Sequence, residues 1–346
     1  MTKLPRQREV DRLANQGGLI SAYRLHGNGS GTSLPWEVLE TDPLGSNEPG
    51  DIWIHLDRTA PRAQAWMEET ARVPHAARIA LLSEDPRPRL IEFDAPDDNP
   101  AGLVILLRGI NFNENDEPSN LVSIRVWIDA DRVISLRRRT VASVRTIREK
   151  LLKGNGPIDS TDFVHHLADA LTERVRTTLE SLEDRLDVAE NLLIDGDELK
   201  GLRTELSEVR RVAIRLRRYM IPQRDALSDL ARGAPDLLTH HQRMLLFQSA
   251  DHAARVVDEI DEIRDRATSA QEELTTATAE QAARSSAKLT AVATIFLPLG
   301  LIAGVWGMNV NGLPFGDSPN GFWLLLGVMV IAAGATAAVA RLLLGK

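Results

Sequence analysis

Two long apolar runs near the carboxy terminus limit what this chain can fold into. Leu289–Met308 (LTAVATIFLPLGLIAGVWGM) and Phe322–Leu344 (FWLLLGVMVIAAGATAAVARLLL) are 20 and 23 residues long. As a helix, each is long enough to cross a hydrocarbon core of roughly 30 Å. Between Lys288 and Arg341 the one charged side chain is Asp317, in a connector that holds Gly307, Gly312, Pro314, Gly316, Pro319 and Gly321. That composition predicts a turn between antiparallel spans, not a third element.

Basic residues predict the orientation. Arg284 and Lys288 precede the first span, Arg341 and Lys346 surround the end of the second, and the connector has no Lys or Arg. Both termini are therefore expected in the cytoplasm and the connector outside. The opening residues MTKLPRQREVDRLANQGG lack the apolar centre of a signal peptide, so the large amino-terminal part is expected to stay cytosolic. With no cysteine, neither a disulfide nor a thiolate metal site can form. A net charge of -8 and 4% aromatic residues argue against a nucleic-acid partner, which calls for a basic face with stacking rings. A cation is the partner this charge favours.

The expected fold is α+β with a membrane part. Residues 1–155 read as a cytosolic α/β domain, with strands at Leu19–Leu25, Ile52–Leu56, Leu90–Phe93, Leu103–Ile110, Val122–Ile128 and Val133–Leu136. Helices are expected at Pro61–Arg72, with Thr59 as a candidate cap, and at His75–Ser83 and Val141–Lys153. Residues 156–235 read as a long helical hairpin. Val164, Leu167, Leu171, Val175, Leu179, Leu182 and Leu186 form the apolar stripe of its first arm, and Pro222 is a candidate kink in its second. Residues 236–288 read as a stalk helix, 289–308 as the first transmembrane helix, 309–321 as the outer loop and 322–344 as the second transmembrane helix. A helix unbroken from Asp236 to Met308 would hold 73 residues and run roughly 110 Å.

Stepping back from Gly300 by three and four gives Leu297, Ala293, Thr290, Ser286, Ala283, Ala279, Thr276 and Glu272, a stripe almost free of bulk. Two readings stand open: close packing of small residues between helices, or the lining of a water-filled path. Both require several copies, because two spans per chain cannot enclose a pore.

Gly307, Met308 and Asn309, at the outer end of the first span, resemble the GMN motif of the CorA metal-ion transporter superfamily. Their place behind an α/β domain, a hairpin and a stalk extends the likeness over nearly the whole chain. Within the superfamily, Trp53–Arg58 (WIHLDR), Arg87–Leu90 (RPRL), Arg108–Asn113 (RGINFN) and Asn309–Pro314 (NVNGLP) are similar to the ZntB zinc-transporter branch. The resemblance implies a funnel-shaped homopentamer in a bacterial inner membrane. It would be multi-pass, surrounded by membrane lipid, with first spans lining the pore and an asparagine ring at its mouth. Asn309 suits that role, since neutral carboxamide oxygens accept hydrogen bonds from an ion's water shell without stripping it. Gly307 would let the chain leave the helix, and Met308 would pack there. Two departures stand out: Asp317 is the loop's only acid, and Asn311 occupies a position where the ZntB pattern has glycine.

The resemblance implies no cofactor; the metal is cargo, Zn2+ by branch, with Mg2+, Co2+ or Ni2+ able to pass by the same chemistry. All eight histidines (His26, His55, His75, His165, His166, His240, His241 and His252) precede the spans. A tight, dehydrated zinc site is therefore not expected in the pore. In the stalk, Asp251, Asp258, Glu259, Asp261, Glu262 and Asp265, with Glu272 further on, either draw cations into the funnel or pair with Arg255, Arg264 and the hairpin arginines Arg210, Arg211, Arg215, Arg217 and Arg218. No phosphate-binding glycine loop, zinc-hydrolase motif or nucleophile elbow points to an enzyme. The competing functions are a CorA-type Mg2+/Co2+ channel and a membrane-anchored sensor without transport. Proton coupling, which the ZntB likeness suggests, would normally need a titratable group in the spans, and there is none beyond Asp317 in the loop.

Overall fold

Alternating apolar runs in the first part of the chain form seven strands: β1 (Leu19–Leu25), β2 (Gly31–Ser33), β3 (Ile52–Asp57), β4 (Arg89–Phe93), β5 (Gly102–Gly109), β6 (Val122–Ile128) and β7 (Arg132–Arg137). They make one sheet in the order β2-β1-β3-β7-β6-β5-β4. β3 and β7 run parallel and every other neighbouring pair antiparallel. The computed structural model describes residues 16–45, 48–94, 101–111, 121–195, 201–233, 238–308, 313–314 and 319–344. The chain divides into two units, one made of residues 1–191 with 204–269 and the other of 192–203 with 270–346.

In the first unit the sheet is covered on both faces, so β3, β5 and β7 are buried along nearly their whole length. On one face lie α1 (Trp36–Thr41), α2 (Pro61–Glu69) and α3 (His75–Leu82). There Leu39, Trp66, Met67 and Leu81 join Leu56, Val104, Leu106 and Trp127 in one buried cluster. Burying each such side chain contributes about 1.5–3 kcal/mol. On the other face α5 (Ser160–Asp195) follows α4 (Ala142–Leu152), and Phe163 lies 4.7 Å from Trp53 between ring centroids. Gly102 has no alternative: a Cβ there would sit 2.5 Å from both Ile128 O and the Trp127 ring.

The strands and helices expected from periodicity are present to within a few residues. Two elements had no signal, because GTS in β2 and WEVLET in α1 are too short for a period to show. The Thr59 cap is a correction. Ala60 is the N-cap of α2 with Pro61 following it, while the Thr59 N–H and hydroxyl both turn to Asp57 Oδ1, at 2.9 and 2.6 Å.

A buried polar network closes the sheet near β7. Arg132 and Asp129 have side chains 0% and 4% exposed, and Arg132 Nε donates to Asp129 Oδ2 at 2.7 Å. The same oxygen accepts Trp127 Nε1 at 2.8 Å, and the other guanidinium nitrogens reach Pro43 O at 2.8 Å and Arg72 O at 3.3 Å. His55 is also buried, with Nδ1 2.8 Å from Ser135 Oγ. Burial, then the charges of Arg137 and Arg148, hold its pKa well below the usual histidine range, so it stays neutral.

The α5 stripe from Val164 to Leu186 is buried as its spacing predicts. Asp159 caps the helix, accepting Asp162 N at 2.7 Å, and Asp162 Oδ2 reaches back to Ile158 N at 2.9 Å. α6 (Leu202–Arg232) continues through Pro222 as one helix. It adds Leu206, Val209, Leu216 and Leu227 to the helical core, and α7 (His240–Trp306) adds Leu246, Val256, Ile260 and Ile263.

α7 holds 67 residues, fewer than expected. Asp236 lies outside the described residues, and the helix begins at a capping box in which Gln242 N donates to Thr239 Oγ1 at 3.3 Å and Thr239 N to Gln242 Oε1 at 2.8 Å. Its last residue is Trp306, so Gly307 and Met308 follow the helix instead of ending it. In the second unit Leu193, Leu202, Ala270 and Leu274 are buried, and α8 (Gly321–Leu344) completes the chain.

Candidate functional site

The carboxy-terminal part of α7 and the whole of α8 fall in the second unit. Both helices contain windows with mean hydropathy of 2.0 and 2.2, and no residue of either window is buried within the protein. Neither is therefore the core helix of a soluble fold. Leu289, Phe296, Leu301, Phe322, Trp323, Val330 and Ile331 are 65–74% exposed. A soluble monomer does not leave so many large apolar side chains open, so hydrocarbon or further copies must cover them.

Each helix has two distinct faces. On α7 the half-covered residues Ala291, Ile295, Pro298, Ile302 and Trp306 recur at three and four; on α8 Leu325, Met329, Ala332 and Thr336 do the same. Away from these, Ala283, Ser286, Thr290, Ala293, Leu297 and Gly300 are all exposed, as is Glu272. The stripe of small residues thus contacts little of its own chain, and a Cβ at Gly300 or Gly304 would meet nothing within 4 Å. Thr290 and Thr294 hydroxyls donate to Ser286 O and Thr290 O at 2.9 and 2.8 Å. Pro298 has no N–H to give Thr294 O, which leaves that carbonyl without its helical partner.

Beyond Trp306 the backbone closes on itself. Gly307 N donates to Ala303 O at 2.9 Å and Met308 N to Val305 O at 3.3 Å. A Cβ on Gly307 would approach Ala303 O to 3.1 Å, which favours glycine at this exit. Trp306 Nε1 reaches forward to Pro314 O at 3.2 Å and ties the helix end to the connector. Met308 is half exposed. Asn309 and Asp317 lie outside the described residues.

The stalk acids separate into two groups. Asp261 is held by Arg217 Nε and by Arg264 Nη1, each at 2.7 Å; Asp265 pairs with Arg264 at 2.8 Å, and Asp251 with Arg255. Asp258, Glu262 and Glu272 are exposed and have no ion pair among the described residues. Burial, then the charges of Glu259 and Glu262, push the Glu183 carboxyl above its usual range. Of the hairpin arginines, Arg217 alone reaches a stalk acid among the described residues. Arg211 pairs with Glu208, and Arg215 and Arg218 face elsewhere.

No three of the described His, Asp or Glu side chains lie close enough to share a metal ion. His165 meets Ser249 Oγ at 2.8 Å and Asp169 at 3.6 Å, and His166 meets Asp162 at 3.6 Å. Glu84 and Asp85 are held locally: Glu84 by Arg58 at 3.0 Å, Asp85 by Arg87 and Arg89 at 2.8 and 3.0 Å.

A sheet-bearing domain, long packed helices and two bare apolar helices joined by a short connector define an integral membrane protein with a large extramembrane body. The family model for CorA-like Mg2+ transporter protein matches residues 50–341. The chain belongs to that family, and is a divalent-cation transporter of the CorA/ZntB type, not an enzyme. It is 35% identical over 310 residues to the divalent cation transporter CmaX of Pseudomonas aeruginosa, covering 90% of this chain and 91% of that one. It is 33% identical over 321 residues to the zinc transport protein ZntB of Pectobacterium atrosepticum, covering 92% and 94%. The structure of full-length CmaX superposes with a TM-score of 0.80 at 34% identity, over 94% of this chain and 98% of that one. The CorA magnesium transporter of Methanocaldococcus jannaschii shares the fold, with a TM-score of 0.74 at 18% identity over 92% and 96%.

Proposed function

We propose that this protein carries Zn2+ inward across the bacterial inner membrane as a homopentamer, with both termini in the cytoplasm. The membrane part of α7 lines its pore. The observation that carries the reading is the face from Ala283 to Gly300, which is small, partly hydroxylated and exposed from its own chain. Facing copies of itself, it leaves room for a hydrated ion and offers threonine and serine oxygens to it. Asn309, Gly307 and Met308 form the mouth, Asp317 adds negative charge there, and Asp258, Glu262 and Glu272 attract cations on the cytosolic side, while Asp261 and Asp265 are held by Arg217 and Arg264. The zinc assignment draws on the likeness to ZntB proteins.

One observation favours a Mg2+/Co2+ channel as the second reading: the spans contain neither His nor Cys, so nothing in them prefers zinc over other hydrated divalent ions. Uptake into proteoliposomes decides between the two. Zinc influx that rises with an inward proton gradient is expected; magnesium influx indifferent to the gradient would establish the channel instead, and no influx of any divalent ion would leave a membrane-anchored sensor.

The lining has its own test. The chain has no cysteine, so Ala293→Cys introduces a unique thiol. A charged, membrane-impermeant thiol reagent is expected to react with it and to reduce influx by about tenfold or more, because a charge in a narrow lining opposes the cation. If Ala293→Cys transports normally but never reacts, the stripe is a packing surface between helices.

A further inference from the structure

Several arginines that the transport reading leaves unused converge on one cavity of about 880 Å³ in the first unit. It lies where β5, β6 and the turns after α3 and β7 meet α6. Among the described residues, eight arginines line it against a single carboxylate, Glu84. That carboxylate is already engaged by Arg58 at 3.0 Å and Arg138 at 3.7 Å, and Arg87 is paired with Asp85 at 2.8 Å. Arg108, Arg125, Arg215 and Arg218 have no carboxylate within ion-pair distance among the described residues.

The polar inventory is unfinished as well as unbalanced. Arg125 is 1% exposed and donates only to neutral oxygens, Ser83 O at 2.8 Å and Ser123 Oγ at 3.1 Å, which leaves its Nε without a partner. Arg108 Nε and the hydroxyl of Tyr219, a residue 2% exposed, are also buried and unpartnered. Buried donors of this kind destabilise the fold unless something accepts from them. Burial, then the neighbouring Arg58, bring the Arg125 pKa down to about 10, the response of a cation confined with other cations. Burial pushes Tyr219 the other way, so its hydroxyl keeps the proton it would donate.

We propose that this cavity binds a phosphate-rich anion, either free polyphosphate or the phosphate chain of a nucleotide. Guanidinium forks match phosphate oxygens in pairs, and four guanidinium groups from β5, β6 and α6 with no carboxylate partner among the described residues call for several negative charges on one ligand. A single carboxylate or chloride would leave most of them facing each other. The volume falls within the range of small-molecule sites and exceeds the need of one phosphate. Because Arg108 and Arg125 stand on the sheet and Arg215 and Arg218 on α6, the ligand would bridge the two.

The test is equilibrium binding of inorganic tripolyphosphate and of ATP to the purified full-length protein in detergent, at about 0.15 M ionic strength to suppress loose surface attraction. Saturable binding of one ligand per chain is expected, weakened about tenfold or more in Arg215→Gln/Arg218→Gln and less in Tyr219→Phe. Equal affinity for both ligands means that the phosphate chain alone is recognised; preference for ATP means that a nucleotide is the natural occupant. The double arginine variant relieves like-charge repulsion, so its thermal midpoint without ligand should hold or rise while the ligand-induced rise disappears. Absence of saturable binding at millimolar concentration, or binding that this variant leaves unchanged, overturns the proposal. So does binding that appears only in Glu114→Gln/Asp116→Asn/Glu117→Gln, since the chain's own acids after β5 would then occupy the cavity. Binding is read directly, so failure of the zinc assignment leaves the test intact.

Discussion

Proteoliposomes containing Asn309→Ala are expected to lose divalent-cation influx by about a hundredfold or more while the protein remains the same oligomer by light scattering. In the proposed pore the ring of Asn309 carboxamides is the place where a hydrated ion first meets ordered oxygen. Without it, the ion faces an apolar rim, since the described residues beside this position, Trp306, Gly307 and Met308, offer no side-chain acceptor. Losing even two charge-assisted hydrogen bonds at about 1.5–3 kcal/mol each is enough for such a drop. Asn309→Gln keeps the chemistry but lengthens the side chain, and a partial rate is expected from it. Influx unchanged in Asn309→Ala would remove the mouth from the mechanism; loss of the oligomer together with influx would assign Asn309 an assembly role instead.

Much of the architecture was legible because its elements are long. The two apolar runs could only be spans or a buried core, and their exposure in the structure excludes the second. The α5 stripe from Val164 to Leu186 repeats often enough that its buried face followed from spacing alone. Ends were harder. The start of α7 was written as Thr239-x-x-Gln242, a capping box, yet it lay behind the more conspicuous Gly233 and Pro235. Thr59 misled for the opposite reason: its hydroxyl found Asp57, two residues back, before it could serve the helix.

The site was legible only where a motif is contiguous. Gly307, Met308 and Asn309 are adjacent, and their place between two spans distinguishes them from a chance tripeptide. The arginine cavity had no such signal. Its members come from five stretches, around Arg58, Arg87, Arg108, Arg125 to Arg139, and Arg215 to Arg218, and each stretch alone reads as an ordinary solvated basic surface. A sheet order that places β5 and β6 at one end, with Gln223 of α6 accepting Arg108 N at 2.8 Å, gathers them. The same closure turned the hairpin arginines away from the stalk: Arg215 and Arg218 serve the cavity, leaving Arg217 alone to pair with Asp261.

Asp129→Ala is expected to produce the largest loss of stability, about 3–5 kcal/mol, because it removes one partner of a buried ion pair and leaves the other charge in place. Arg132 is 0% exposed and cannot swing out to water, and its two remaining acceptors, Pro43 O and Arg72 O, are neutral. Trp127 Nε1 loses its acceptor in the same step. Asp129→Asn keeps an oxygen for the indole but not the charge, so a smaller loss is expected. Urea unfolding of the detergent-solubilised protein, followed by tryptophan emission, reads both effects: the midpoint falls with the lost pair, and the buried Trp127 signal shifts with its lost hydrogen bond. Asp129 immediately follows β6 and Arg132 opens β7, and β6 also carries Arg125 on the wall of the arginine cavity. Anion binding, measured as above, should therefore weaken in Asp129→Ala only under conditions where the emission already reports loosening of the sheet. Weakened binding with an intact sheet signal would instead tie Asp129 to the cavity itself, and an unchanged midpoint would mean that Arg132 finds water in spite of its burial.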